Sequence, residues 1–584
     1  MNILGVGCVF PHDPAAALLV DGRIVAAVEE ERFTRQKHAL DQWPSNAIAY
    51  CLQTGGLRPN QIDVVALPWS RRAYRRDQWG HLRRLWRTSL SHGVAAIRRG
   101  ARFHRRLMAK NLQALCHAGF DPDSVEVAPV EHHVAHAASA YHLSGWGGAA
   151  ILTIDGQGEF TSTMVAEGNG PHINVHRRIL TPDSLGYFYS VITEYLGFQM
   201  NDGEYKVMGM SAYGDPTKVD VSPFIQLLCN GYRVNERHIW PRTRHRVPGK
   251  KYSPFMVEHW GPPREGDDLA EPYIHVAAAA QKVLEDAVLA LIDRDVAPIL
   301  KRHDGRLCLA GGCALNVRMN RRILGHPSVN EVYVQPAAHD SGAPFGAAAF
   351  VAAQRGERLR PMTHPYFGPN CDDDITSCLS EHGNPAVTHT EDQCIDKAVD
   401  LLAAGQVVAW CQGRMEFGPR ALGNRSILAH PARAGIADQI NLRIKFREPW
   451  RPFCPSVLAE HAASIFALDH PSPFMNLSFM VRDEWRTRIP EAVHVDGSAR
   501  PQTVTRRENP LFHRLISAFH ERTGVPVLLN TSLNRRGEPM VCSARDALNM
   551  FNQCGLEHLF VGNTYVIKRN AVEIPEDQTA PRPD

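Results

Sequence analysis

The chain has 584 residues, 44% of them hydrophobic and 21% charged, and its 64 Lys and Arg against 61 Asp and Glu leave a net charge of +3. That length exceeds what one core fills, so two or more domains are expected, and the small net charge argues against a general polyanion binder. No run of eighteen apolar residues occurs and MNILGVGCVFPHDP lacks the basic and apolar regions of a signal peptide, so a cytoplasmic protein without a membrane partner is expected; its thirteen cysteines form no CxxC pair and read as reduced thiols.

NILGVGCVF, AALLV and RIVAAVEEE read as three strands, with PHDPA as a loop after the first and Asp21-Gly22 as the hairpin turn before the third. Between Arg71 and Lys110 lie twelve arginines and one lysine against a single acid, Asp77, interleaved with Trp79, Trp86 and Phe103. Stretches such as HLRRLWRTSL read as amphipathic helix. The segment is read as a charged, solvated insertion, the alternative being a cap over an acceptor site or a surface for an acidic partner, and no nucleic-acid partner is expected from it.

EHHVAHAASAYH follows, an alanine-rich helix with His132 and His136 four apart and therefore on one face. By itself the pair fits a buried helix with satisfied histidines as well as a metal site. Next comes ILTIDGQGEF, a buried strand that ends at Asp155 and turns through Gly156-Gln157-Gly158, which would let that carboxylate close on the same ion. His133 is also a ligand by type, but the i, i+4 spacing selects His132 and His136.

The hairpin pattern of the first thirty residues returns at 149–179 with a turn at Asn169-Gly170, which predicts a duplicated α/β fold of the actin and sugar-kinase class. In that class a later strand ends in a Gly-Gly turn near nucleotide, and LCLAGGCALNVRMN supplies one, although such pairs also punctuate ordinary strand-to-helix turns. Asp340 opens the helix after VYVQPAAHDSG, either as an N-cap or as a carboxylate sharing a ligand with the helix N-terminus. From 356 to 395 the composition loosens into proline, glycine and acids, and this stretch is read as a linker between domains at 1–355 and 396–584.

Beyond it Arg414, Arg420, Arg425, Arg443, Lys445, Arg447 and Arg451 crowd a glycine-rich region. Arginine forks on such loops suit phosphate oxygens; the alternative is surface pairing with Glu416, Asp438 and Glu448. Asn530, Thr531 and Ser532 follow the apolar strand VPVLL, at the kind of strand end where α/β proteins place ligands.

Taken together, AALLVDGRIVAAVEEERFTRQKH, HHVAHAASAYH, TIDGQGE, YKVMGMSAYG, AGGCALN, FGPRALGNRS, NLRIKFREPWRPF, ARPQTV and LNTSLNRRGEP resemble, in order and over nearly the whole chain, the NodU/CmcH family of O-carbamoyltransferases. The resemblance implies an actin-like domain similar to threonylcarbamoyl transferases fused to a YrdC-like α/β domain. It implies that carbamoyl phosphate and ATP, with Mg(2+) as an accompanying ion, give carbamoyladenylate in the second domain. The carbamoyl group then passes in the first domain to a hydroxyl of a small natural product. His132, His136, Asp155 and Asp340 would hold a divalent metal of the Fe(2+) type. Lys37, Gly312 and Asn316 would contact the adenylate, with His12 beside the acceptor hydroxyl as general base. Arg420, Lys445, Arg451, Arg500, Asn530 and Ser532 would bind carbamoyl phosphate and ATP. The competing readings are a tRNA-modifying threonylcarbamoyl transferase, with the basic insertion on tRNA, and a non-catalytic protein that keeps the fold.

Overall fold

A computed structural model describes residues 1–9, 12–86, 90–121, 123–229, 231–241, 246–372, 374–467 and 470–568. The chain divides into two compact units, one made of 1–30 and 39–362, the other of 31–38 and the residues from 363 onward.

In the first unit β1 (Asn2–Val9), β2 (His12–Val20) and β3 (Arg23–Glu29) form an antiparallel meander, to which β4 (Val64–Leu67) and β5 (Glu126–Pro129) add in parallel on the other side of β1. The order is β3-β2-β1-β4-β5. Asp21 and Gly22 both take positive φ, 47° and 70°, as the tight turn of such a hairpin requires. The strand preceding that turn begins at His12, so most of the expected PHDPA loop is already sheet.

The second half repeats the plan. β6 (Gly148–Ile154), β7 (Thr161–Asn169) and β8 (His172–Leu180) form a second meander, and after a separate hairpin of β9 (Ile225–Leu228) and β10 (Gly231–Val234), β11 (Arg306–Ala310) and β12 (Glu331–Val334) join β6 in parallel. This sheet runs β12-β11-β6-β7-β8, the first order read from the opposite edge, with the same parallel and antiparallel pairs. The duplication expected from the two hairpins is thus present strand for strand.

A helix follows the fifth strand of each half, His132–Ser144 after β5 and Ala343–Gln354 after β12. Both are alanine-rich and buried nearly all round, as helices inside a fold must be. They touch backbone to backbone: a Cβ on Gly346 would stand 1.8 Å from the Ala135 carbonyl oxygen, so only glycine fits there.

In the second unit β13 (Tyr366–Asn370), β14 (Ala386–Thr388), β15 (Val408–Cys411), β16 (Arg414–Glu416), β17 (Arg425–Ala429), β18 (Cys454–Leu458), β19 (Phe479–Met480), β20 (Ser498–Ala499), β21 (Gln502–Val504), β22 (Val527–Ser532), β23 (His558–Val561) and β24 (Thr564–Ile567) follow in order. Eight of these strands make one mixed sheet, β14-β24-β23-β15-β17-β22-β18-β21, while β13 pairs with β16 and β19 with β20. The expected linker at 356–395 is therefore corrected. It contains β13, β14, the Ile375–His382 helix and the start of the Glu391–Ala403 helix, and its polar residues are those of an exposed edge strand and of helix caps. The first unit extends to Met362, and the short segment 31–38 joins the second unit through Arg32, which donates to the Gly418 carbonyl, and Arg35, which donates to those of Met540 and Pro539. Among the described residues no helix is long and apolar enough to cross a membrane.

Candidate metal centre and anion site

The first unit gathers four ligand-bearing side chains from both halves of the duplication. His132 and His136 come from the helix of the first half, Asp155 from the end of β6, and Asp340 from the short helical turn that precedes the Ala343–Gln354 helix. The two Nε2 atoms are 3.0 Å apart; Asp155 Oδ2 lies 3.2 and 3.6 Å from them, and Asp340 Oδ1 lies 3.4 Å from each. Ligand atoms about 2.1 Å from a metal stand about 3.0 Å apart at right angles and about 3.4 Å apart at tetrahedral angles, so these four fit one divalent cation. Asp340 Oδ1 is buried, with the two imidazole Nε2 atoms as its polar neighbours at 3.4 Å.

The electrostatics point the same way. Burial opposes a charge on His132, yet hydrogen bonds to Asp155 and Asp340 outweigh it and raise its pKa to about 10. Burial likewise works against ionised Asp155, and the two histidines overcome it and hold that carboxylate well below its usual range. The pocket calls for positive charge beside its carboxylates, from protons or from a metal. Histidine and carboxylate donors suit iron, manganese and zinc alike.

His133 is a different kind of residue. Its Nδ1 lies 2.7 Å from Thr153 Oγ1 and its Nε2 3.0 Å from the Thr161 carbonyl, and burial drives its pKa down to about 3. It is a neutral strut between the helix and the β6–β7 hairpin. It is His132, not His133, that lies with His136, Asp155 and Asp340, because one residue along a helix turns the ring to another neighbour.

The Gly-Gly turn after β11 serves this centre directly. Gly311 has φ +88°, and a Cβ there would meet the Ile154 carbonyl oxygen at 2.3 Å, so the turn closes over the end of β6. From that position the Gly312 amide donates to Asp155 Oδ1 at 3.2 Å and fixes that carboxylate. Asn316 exchanges two amide hydrogen bonds with Gln281 and caps the Val317–Leu324 helix by accepting from the Met319 amide. His12, half-buried at the start of β2, holds Nδ1 3.0 Å from Asp13 Oδ2 and 4.0 Å from Asp340 Oδ2, which places it at the edge of the metal cluster. Asp13 takes φ 55°, a left-handed conformation of the kind that surrounding structure maintains at functional sites.

Three residues that sequence reasoning passed over complete the surroundings. Glu159 is buried and accepts from the backbone amides of His132 and Ser70, satisfying the open N-terminus of the His132–Ser144 helix. Trp69 lies against the His132 ring with centroids 5.0 Å apart. Glu131, just ahead of the His132–Ser144 helix, accepts paired bonds from Arg76 and Arg178 at 2.9–3.1 Å, and though burial opposes it the two guanidinium groups lower its pKa to about 2. An acid directly before or within an otherwise apolar motif was the available signal for Glu131 and Glu159; nothing local marked Trp69.

The second unit brings its cationic residues to one end of its sheet. Lys445 is buried and donates to the Ser532 carbonyl at 2.6 Å, to Ser532 Oγ at 3.1 Å and to Asn534 Oδ1 at 2.6 Å. Burial first, and then Arg447, Arg451 and Lys37, hold its pKa well below the ordinary lysine value. Lys37, expected beside Gly312 and Asn316, belongs by its contacts to this second unit, because the arginines at 32 and 35 tie the whole segment there.

Asn530, opposite Cys454 in the β18–β22 pair, donates to Ser456 Oγ at 2.9 Å and to the Ala421 carbonyl at 3.3 Å, next to half-buried Arg420, while its own Oδ1 is buried without a partner. Arg500 Nε and Nη2 reach Cys454 Sγ at 3.0 and 2.8 Å. Arg451 sits 3.4 Å from buried Glu448. Arg425, grouped with the phosphate-binding cations by sequence, is corrected to a structural role: it is wholly buried and donates to the carbonyls of Gln412, Asn424, Pro369 and Cys542. A buried lysine without a carboxylate bond, with half-buried Arg447, Arg451 and Lys37 near it, is a site that an anion would complete.

Comparison with known proteins agrees with this division. The family described as Carbamoyltransferase N-terminus matches residues 2–349, and Carbamoyltransferase C-terminus matches 399–568. Nodulation protein NolNO of Sinorhizobium fredii is 38% identical over 99% of this chain and 82% of its own length. A 3'-hydroxymethylcephem-O-carbamoyltransferase of Streptomyces clavuligerus is 33% identical over 63% of this chain and 65% of its own. Among solved structures, the activator of 2-hydroxyisocaproyl-CoA dehydratase from Clostridium difficile, with bound ADPNP, covers 61% of this chain and 97% of its own at 13% identity and a TM-score of 0.33.

Proposed function

Since the chain belongs to the carbamoyltransferase family and is a carbamoyltransferase, we propose that it is an ATP-dependent O-carbamoyltransferase that forms carbamoyladenylate and passes its carbamoyl group to a hydroxyl of a small natural product. The observation that supports this reading is the pairing, in one chain, of a four-residue carboxylate and histidine cluster with a separate cluster of cations around buried Lys445.

In the second unit Lys445, Arg420, Arg451 and Arg500, now joined by Lys37, bind the phosphates of carbamoyl phosphate and ATP and neutralise charge as phosphate and pyrophosphate leave. The buried Oδ1 of Asn530 and the hydroxyl of Ser532 orient the small ligand. In the first unit His132, His136, Asp155 and Asp340 hold a divalent cation, Fe(2+) by family resemblance, which when bound would supply Lewis acidity to the mixed anhydride. Gly312 keeps Asp155 in place, and Asn316 with Gly312 lines the adenylate position. His12, with Nδ1–H given to Asp13, keeps Nε2 as the base. As the acceptor oxygen bonds to the carbamoyl carbon, that nitrogen takes the hydroxyl proton and AMP departs with the electrons of the broken C–O bond.

The test separates the two halves of the reaction. His136→Ala should abolish carbamoylation of the acceptor, followed by mass spectrometry, while ATP-dependent phosphate release from carbamoyl phosphate persists; Arg451→Ala should stop that release. Normal carbamoyl transfer by His136→Ala would reject the metal role.

A further inference from the structure

The basic segment at 71–110 carries a net charge of +12, against +3 for the whole chain, so every other residue together sums to −9. The structure shows how this charge is distributed. The Arg71–Leu85 and Leu90–His117 helices pack on each other, with Gly100 so close to the Tyr74 side chain that a Cβ would meet its hydroxyl at 2.3 Å and its ring at 2.5 Å. Their inner faces are fixed to the first unit through Arg76 and Glu131 and through Arg84, which is 2.6 Å from Asp183.

The outer faces are of one character. On the first helix Arg72, Arg75 and Arg83 share a stripe with Trp79 and Trp86, and those tryptophans are 70% and 66% exposed. On the second, Arg98, Arg102, Arg105 and Arg106 face solvent in the same i, i+3, i+4 pattern. None of these seven arginines pairs with a carboxylate among the described residues. The segment's one acid, Asp77, is buried against Arg76 and Thr161.

We propose that the outer faces of this helix pair dock on an anionic lipid bilayer. A solvated helix needs no exposed tryptophans, whereas a surface that interleaves tryptophan with arginine and excludes acid is the composition that lies in a headgroup layer, with the rings at the acyl boundary and the guanidinium groups on lipid phosphates. The docking is independent of the carbamoyl chemistry, and it revises the expectation of no membrane partner drawn from the sequence.

The experiment is co-sedimentation of the full chain with vesicles of phosphatidylcholine alone and of phosphatidylcholine mixed with phosphatidylglycerol, at low and high ionic strength, with tryptophan fluorescence read in parallel. Binding should require the anionic lipid, weaken with salt and shift the emission to the blue. Each arginine near such a surface contributes about fivefold to partitioning, so the variant Arg75→Glu/Arg83→Glu/Arg102→Glu/Arg105→Glu should bind at least about a hundredfold more weakly. Trp79→Ala/Trp86→Ala should lose the blue shift, and both variants should consume carbamoyl phosphate as the parent does. Failure to bind anionic vesicles at low salt, equal binding to neutral ones, or unchanged binding by the charge-reversed variant would overturn the proposal. So would an oligonucleotide that binds more tightly than the vesicles and displaces them, which would assign the surface to nucleic acid.

Discussion

Replacing Lys445 by methionine should weaken ligand binding without a matching loss of stability, and the reason lies in what surrounds its ammonium. The substitution removes three donations. Asn534 Oδ1 still receives the Ser532 hydroxyl at 2.6 Å, so the main loss is at the Ser532 carbonyl, worth about 1–2 kcal/mol. Against this, a buried positive charge disfavoured by burial and by Arg447, Arg451 and Lys37 disappears. The terms oppose each other, and the free protein should unfold within about 1 kcal/mol of the parent. A phosphoryl ligand instead loses a charge-assisted bond worth about 1.5–3 kcal/mol, or roughly 10- to 150-fold in affinity. Thermal unfolding with and without ATP and carbamoyl phosphate reads both quantities, and phosphate release gives the rate. The pH dependence has a definite sign. Between the depressed pKa of Lys445 and its ordinary value of 10.5 the unfolded chain holds more protons, so this residue makes the free fold gain stability as pH rises, and methionine removes that slope. Ligand binding restores the proton, so affinity should fall as pH rises through the depressed value. A variant that destabilises the free chain by several kcal/mol and keeps full stabilisation by ligands would refute the reasoning.

Asp155→Asn keeps an oxygen for the Gly312 amide but removes a ligand charge, so the fold should persist while bound metal, measured by elemental analysis after dialysis, falls with an affinity loss of at least about a hundredfold. Glu131→Gln gives up the charge that holds Arg76 and Arg178; with the carboxylate lowered to about 2 and one arginine partly exposed, denaturant unfolding at neutral pH should show a loss of about 2 kcal/mol. The same difference should shrink as the pH falls below 4.5, where the unfolded carboxyl takes up its proton. His104, packed among Trp69, Tyr74 and Phe103, has its pKa lowered to about 4 by burial and then by Arg71. Its unfolded form binds protons from 6.5 downward, so stability should decline by up to about 3 kcal/mol between pH 6.5 and 4, and His104→Leu should flatten that part of the profile.

The duplicated fold and the histidine pair of the candidate metal centre were legible in the chain because they rest on local rules. Hairpin turns, alternating apolar runs and the i, i+4 spacing of His132 and His136 act over a few residues, and the same rules set His133 apart once its ring is seen against Thr153 and Thr161. Composition misled where the cause was not local. The polar stretch before 395 contains edge strand and capped helices, and Arg425, one cation among many in sequence, is buried to hold four carbonyls.

What the sequence determined by itself was the inventory: two hairpin units, a histidine helix, a basic insertion and an arginine-rich second half. What only the tertiary structure decided was which members of that inventory meet. Asp155 and Asp340 reach the histidines because the fifth-strand helices of the two halves pack at Gly346, and Lys37 joins Lys445 because a short segment pairs its arginines with carbonyls far along the chain. Such meetings depend on close packing between distant elements, a property of surfaces in contact that spacing along the chain does not encode.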